Sequence, residues 1–91
     1  PYGEEITVEK LRQVAEAERV LRDLGFRQVR VRHHGDIARI EVPQDDVPRL
    51  TAPAAAARVH DALRQLGFVY VAVDLKGYRT GSMNEAGAPT R

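Results

Sequence analysis

Two arginines separated by one residue, Arg30 and Arg32, lie in a stretch, 28–34, where Val29 and Val31 alternate with Gln28, Arg30, Arg32 and His34. As a β-strand, this stretch puts both guanidinium groups on one face, and a pair of planar donor forks suits a phosphate or a carboxylate. Residues 36–42 alternate in the same way, and His34-Gly35 reads as a two-residue turn, so the two stretches form a hairpin. In its simplest register Val31 faces Ala38, Val29 faces Ile40 and Arg30 faces Arg39. Like charges placed opposite one another destabilise an antiparallel pair by a fraction of a kcal/mol, so the ribbon calls for an acid. Glu41 can supply it internally, or a ligand anion can supply it from outside. A solvated charged face is the plainer alternative.

Glu18 is the second candidate. On a helical wheel Leu11, Val14 and Leu21 mark one face, Arg12, Glu16, Arg19 and Asp23 the opposite one, and Glu18 falls on the apolar side. A carboxylate there needs a cation, a metal or water, unless it snorkels out or pairs with Arg22 one turn on. Asp45-Asp46 can hold a divalent cation, although adjacent carboxylates commonly just open a helical turn. His60, alone on its helix, reads as a surface or core histidine. Gly81-Ser82 offers backbone N–H groups to an anion, but no Lys-Ser or Lys-Thr pair completes a P-loop.

The elements that must carry these groups follow from capping and periodicity. Thr7 reads as the N-cap of a helix running to Leu24, with Glu9 complementing its dipole. Leu21-Arg22-Asp23-Leu24-Gly25-Phe26 recurs 42 residues later as Leu63-Arg64-Gln65-Leu66-Gly67-Phe68. Each copy ends an amphipathic helix at a glycine able to turn left-handed, with a Phe placed to fold back on the last turn. A second helix opens at Thr51, tolerates Pro53 in its first turn, and turns Ala55, Ala56, Val59, Ala62, Leu63 and Leu66 inward. The last strand, 68–75, is apolar on both faces although the hairpin leaves it at a sheet edge, so a docked domain or partner subunit is expected to cover it. The expected fold is α+β, ordered helix-strand-strand-helix-strand, related to ferredoxin-like folds. Its small three-stranded mixed sheet carries two helices on one face. Residues 76–85 form a glycine-punctuated loop and 86–91 a loose tail.

Composition narrows the function. Ninety-one residues form one small domain that buries about 60 to 65 per cent of its unfolded surface, so any pocket is shallow or shared. Fourteen Lys plus Arg against thirteen Asp plus Glu lack the excess expected of a nucleic-acid binder. Twelve of the fourteen cations are Arg, which suits oxyanion recognition but also marks a GC-rich genome. With no cysteine, the chain itself provides no disulfide, thiolate nucleophile or Cys-based metal site. No apolar run reaches the roughly 20 residues of a membrane span. The start at Pro1 reads like a piece of a longer protein.

Three stretches taken together, Pro1-Tyr2-Gly3-Glu4, the run from Arg30 through His33-His34-Gly35-Asp36 to Glu41, and Gly77-Tyr78-Arg79-Thr80-Gly81-Ser82-Met83-Asn84, resemble the C-terminal region of the LarE family. These are ATP-dependent sacrificial sulfur transferases of the PP-loop ATP-pyrophosphatase superfamily. The resemblance implies that residues 1–85 are an accessory domain following an N-terminal PP-loop domain, in a cytoplasmic, homo-oligomeric enzyme of nickel pincer nucleotide biosynthesis. Such an enzyme activates a carboxylate of a pyridinium biscarboxylic acid mononucleotide with ATP, and a cysteine, or in some relatives an iron-sulfur cluster, provides the sulfur. It further implies that Arg30 and Arg32 bind phosphate, with Arg79 a weaker candidate, and that Glu18 binds a divalent metal. A second carboxylate is implied too; Glu41, Asp45 and Asp46 compete for it, and Asp46 is taken as the metal candidate. Neither a Ser-Gly-Gly loop nor a cysteine is present, so these 91 residues alone should be inert. A non-catalytic ligand-binding or oligomerisation domain is the alternative.

Overall fold

A computed structural model describes residues 6–78. Helix α1 spans Val8–Asp23, strands β1 and β2 span Arg30–His34 and Ile37–Glu41, and a single 3-10 turn covers Gln44–Asp46. Helices α2, Val47–Thr51, and α3, Pro53–Gln65, lead into β3, Tyr70–Val73. The sheet order is β1-β2-β3, antiparallel between β1 and β2 and parallel between β2 and β3. This is the expected small α+β domain with a mixed sheet, but it has three helices rather than two. Pro53 takes the N1 position of α3, and Ala52 before it is extended, because the proline ring disfavours helical geometry in the preceding residue.

Both long helices close in the same way. Thr7 caps α1, its hydroxyl accepting from the Lys10 N–H at 3.1 Å. Beyond the last turns, Gly25 and Gly67 take φ of 105° and 108°. The Phe26 N–H then donates to the Leu21 carbonyl at 3.0 Å, and the Phe68 N–H to Leu63 at 3.2 Å. This six-to-one pattern folds each phenylalanine back onto its helix, and both rings are buried beside Leu21 and Leu63. Each such side chain contributes about 1.5–3 kcal/mol of burial.

Val31, Ala38, Ile40 and Val42 supply the sheet's part of this core, so Arg30, Arg32, Arg39 and Glu41 are turned to the other face. One helix residue departs from expectation. Leu11 is 59% exposed, because the inward face of α1 is centred on Ala17 and Leu21. Gln13 takes part of the helix-helix seam instead, its Nε2 donating to the Leu66 carbonyl at 2.8 Å. That bond fixes the amide orientation, so Oε1 faces His33 Nε2, 2.9 Å away.

The hairpin register also corrects the expectation. The turn is Gly35-Asp36, with His34 opposite Ile37, Val31 opposite Ile40 and Arg32 opposite Arg39. Gly35 has φ 59°, and a two-residue hairpin turn needs positive φ at its first central position. Glycine meets that need and His34 does not. The slide of two residues keeps every side chain on its predicted face.

The cap predicts its own perturbation. In Gly67→Ala a β-carbon would sit 3.0 Å from Gln13 Nε2 in a left-handed residue. Urea unfolding should show a loss of about 1–2 kcal/mol. An unchanged midpoint would contradict the cap.

Candidate functional site

On the open face of the sheet the predicted arginine pair is present but divided. Arg30 stands opposite Glu41, and Arg32 opposite Arg39. The Glu41 side chain is only 11% exposed and lies between two guanidinium groups. Its Oε1 accepts from Arg32 Nε at 3.3 Å and its Oε2 from Arg39 Nη2 at 3.1 Å. Of the two sources of compensation open from sequence, the internal carboxylate is the one used. The triad keeps a net charge of +1, and both arginines remain more than a third exposed, so solvent screens each pair.

Arg30 has a different neighbour. Its guanidinium carbon lies 5.6 Å from the centre of the Tyr78 ring, within cation–π range. The hydrogen bond to Tyr78, then the charge interaction with it, raise the Arg30 pKa above its ordinary value, with Glu18 and Glu41 adding further. Tyr78 is held there by its own N–H, which donates to the Val42 carbonyl at 2.6 Å.

Glu18 is half-buried, and its Oε2 accepts from the Val31 N–H at 2.9 Å. β1 is an edge strand, so this N–H points away from β2 and finds its acceptor on α1 rather than on another strand. The partner is thus backbone, not Arg22. Asp46 makes a separate contact, accepting from Arg49 Nη2 at 3.3 Å. Arg49 also donates to the Gly25 carbonyl and lies 4.1 Å from the Phe26 ring centre. Among the described residues no group of three or more His, Asp or Glu side chains is arranged to hold a metal ion. Glu18 Oε1 can offer one ligand, and the rest of a coordination shell would have to come from elsewhere. The described residues do not by themselves fit a metal centre. Arg79, Gly81 and Ser82 lie outside the described residues, as does the tail.

Two residues that sequence reasoning did not assign to the site join Arg30. Arg22, Arg27, Gln28, Val29, Arg30 and Tyr78 line an open cleft of about 250 Å3. The turn at Gly25 brings the last turn of α1 back beside the start of β1, so Arg22 and Arg27 line the same cleft. A signal was available: three arginines at positions 22, 27 and 30 flank a capping glycine.

The fold and this face together define a small α+β domain with an arginine-rich ribbon. No protein-family model matches the chain. It is 47% identical, over 93% of its length, to pyridinium-3,5-bisthiocarboxylic acid mononucleotide synthase of Lactiplantibacillus plantarum, and 45% identical, over 92%, to an uncharacterized protein of Synechocystis sp.. The chain spans only 30% and 31% of these relatives' lengths. It is homologous to a segment of the LarE family, as the sequence resemblance implied. No helix among the described residues is long and apolar enough to cross a membrane.

Glu18 can be tested as an edge cap. Glu18→Gln retains an acceptor for Val31 and should unfold within about 0.5 kcal/mol of the parent, whereas Glu18→Ala should lose about 1–2 kcal/mol in urea. Equal losses would show that the bond adds nothing. Glu41→Gln removes the carboxylate that bridges Arg32 and Arg39. It should cost about 1–2 kcal/mol, with part of the loss recovered in high salt; a neutral outcome would contradict the triad.

Proposed function

We propose that this chain is the substrate-phosphate-binding segment of an ATP-dependent sulfur transferase, one that converts carboxylates of a pyridinium biscarboxylic acid mononucleotide into thiocarboxylates in nickel pincer nucleotide biosynthesis. The observation that carries the reading is Arg30. Its guanidinium stands on the open face over the Tyr78 ring, while the carboxylate opposite it is hydrogen-bonded to Arg32 and Arg39. The homology to a pyridinium mononucleotide synthase supplies the substrate class.

In this account Arg30 makes a charge-assisted contact with the substrate phosphate, and Tyr78 limits how far the guanidinium can swing. Arg32 adds positive potential at the same face, held in place by Glu41. Anchoring the phosphate orients the distant carboxylate toward groups outside these 91 residues, since remote binding energy can be spent on positioning a reacting centre. ATP, when bound, supplies the activation of that carboxylate. The chain has no cysteine, so sulfur must be delivered by another part of the protein, and this segment alone is expected to be inactive. Glu18 contributes at most one oxygen to a divalent ion and otherwise secures β1.

The exposed side chains of Val69, Tyr70 and Leu75 along and beside β3 fit a segment that docks on a PP-loop domain or a second copy. A purely non-catalytic binding module shares this face but gives no reason for the homology.

In the full-length protein, Arg30→Ala should lower kcat/KM for the mononucleotide about tenfold or more, with unchanged circular dichroism. Undiminished turnover would refute the phosphate role.

A further inference from the structure

The two edges of the sheet are finished differently. Strand β1 carries Arg30 and Arg32, and Glu18 takes its outward Val31 N–H. Strand β3, Tyr70–Val73, contains no proline and no charged residue, and among the described residues no further strand lies beyond it. Proteins that stay single blunt such an edge with a lysine, a proline, a bulge or a covering segment. The Tyr70 N–H donates to the Asp36 carbonyl at 3.2 Å and the Asp74 N–H to the Ile40 carbonyl at 2.9 Å, so these residues bond on the β2 side. Backbone groups alternate in direction along a strand, which turns those of Val71 and Val73 to the open side. At the entry the Val69 carbonyl is already taken by Arg64 Nη1 at 3.0 Å, so the free run is short and has a defined start.

Side chains on both flanks of this edge are incompletely covered. Tyr70, 65% exposed, and Ala72 stand on the open face of the sheet. On the helix side Val71 and Val73 line an apolar recess of about 220 Å3 with Ile40, Ala56, Val59 and His60. Opposite charges flank the free run, Arg64 at its entry and Asp74 directly after Val73. A strand laid antiparallel along the edge sets unlike ends together, whereas a parallel one sets like ends together. An identical strand turned about a twofold axis is antiparallel by construction, and it closes into a dimer instead of propagating.

We propose that the β3 edge is an interface with a second copy of this chain, in which β3 pairs antiparallel with its twofold equivalent in a register centred on Ala72. In that register Val71 meets Val73 of the partner subunit, and Val73 meets Val71 of the partner subunit. Each of these pairs exchanges two N–H···O bonds, four in all, between groups that no strand of the same chain engages. Ala72 faces Ala72 of the partner subunit as the closer, non-hydrogen-bonded pair, where small side chains fit. The two three-stranded sheets become one of six strands, and the valines of both copies lie side by side over the apolar recess. The inference narrows the docking alternatives given above to a second copy and takes nothing from the phosphate reading.

The test is made on the full-length protein. In Ala72→Cys, facing β-carbons about 4.5–5.5 Å apart should form a disulfide between subunits on mild oxidation, identified by mass spectrometry of the linked peptide. Arg58→Cys, at an exposed position of α3, should give no such link. Ala72→Lys and Ala72→Glu place like charges opposite one another at the twofold axis. Each should weaken self-association about fivefold in sedimentation velocity, with circular dichroism unchanged. An equal mixture of the two variants should recover at least the association of the parent, which a merely misfolded variant cannot do. Failure of the Ala72→Cys link, or association indifferent to both charge variants, would overturn the interface. Slow hydrogen exchange at the Val71 and Val73 amides in a protein that stays monomeric would overturn it too, and would assign the edge to another part of the same chain. A missing link leaves the Arg30→Ala turnover result untouched, and undiminished turnover in Arg30→Ala leaves the pairing of β3 untouched.

Discussion

A nearly buried carboxylate between two guanidinium groups governs the open face of this domain. Glu41 accepts from Arg32 and from Arg39, which the hairpin register places directly opposite one another. Without it two like charges would face each other across an antiparallel pair, and with it both are held in one plane of the sheet. The register itself follows from the chain's need to reverse at Gly35. One turn residue and one acid thereby decide which arginines are committed to the structure and which remain available.

The helix beneath completes that division. Glu18 takes the outward N–H of Val31, so the edge of β1 is closed from the side rather than by another strand. The matched reversals at Gly25 and Gly67 seat Phe26 and Phe68 in one core, and the first of them also turns the chain so that Arg22 and Arg27 flank the entrance to β1. A single capping motif thus both buries a ring and assembles a cationic cleft. Packing and electrostatics are set by the same few residues.

Much of this was legible before any coordinates. The Thr7 cap, the repeated Leu-Gly-Phe endings, the face occupied by Val29 and Val31 and the edge position of β3 all depend on local chemistry, and local chemistry is written in short spacings. The register was not, because two turn positions differ by only a shift of two residues and preserve the same faces; only the backbone angle demanded at Gly35 separates them. Leu11 was misplaced because a helical wheel has no fixed origin until the partner helix and sheet define one. Arg22 and Arg27 were passed over for a related reason. They lie on different elements, and only the tertiary reversal brings them together. The homology to a pyridinium mononucleotide synthase agrees with the family resemblance drawn from the three stretches at 1–4, 30–41 and 77–84, and it covers under a third of that relative.

The central claim is that a phosphate belongs on this side of β1, held by Arg30, which makes no ion pair among the described residues. The most direct measurement is a crystal structure of the full-length protein with the pyridinium mononucleotide bound. The account predicts density for the phosphate within hydrogen-bonding distance of Arg30, with Glu41 still bridging Arg32 and Arg39. A phosphate seated out of reach of Arg30 would contradict it.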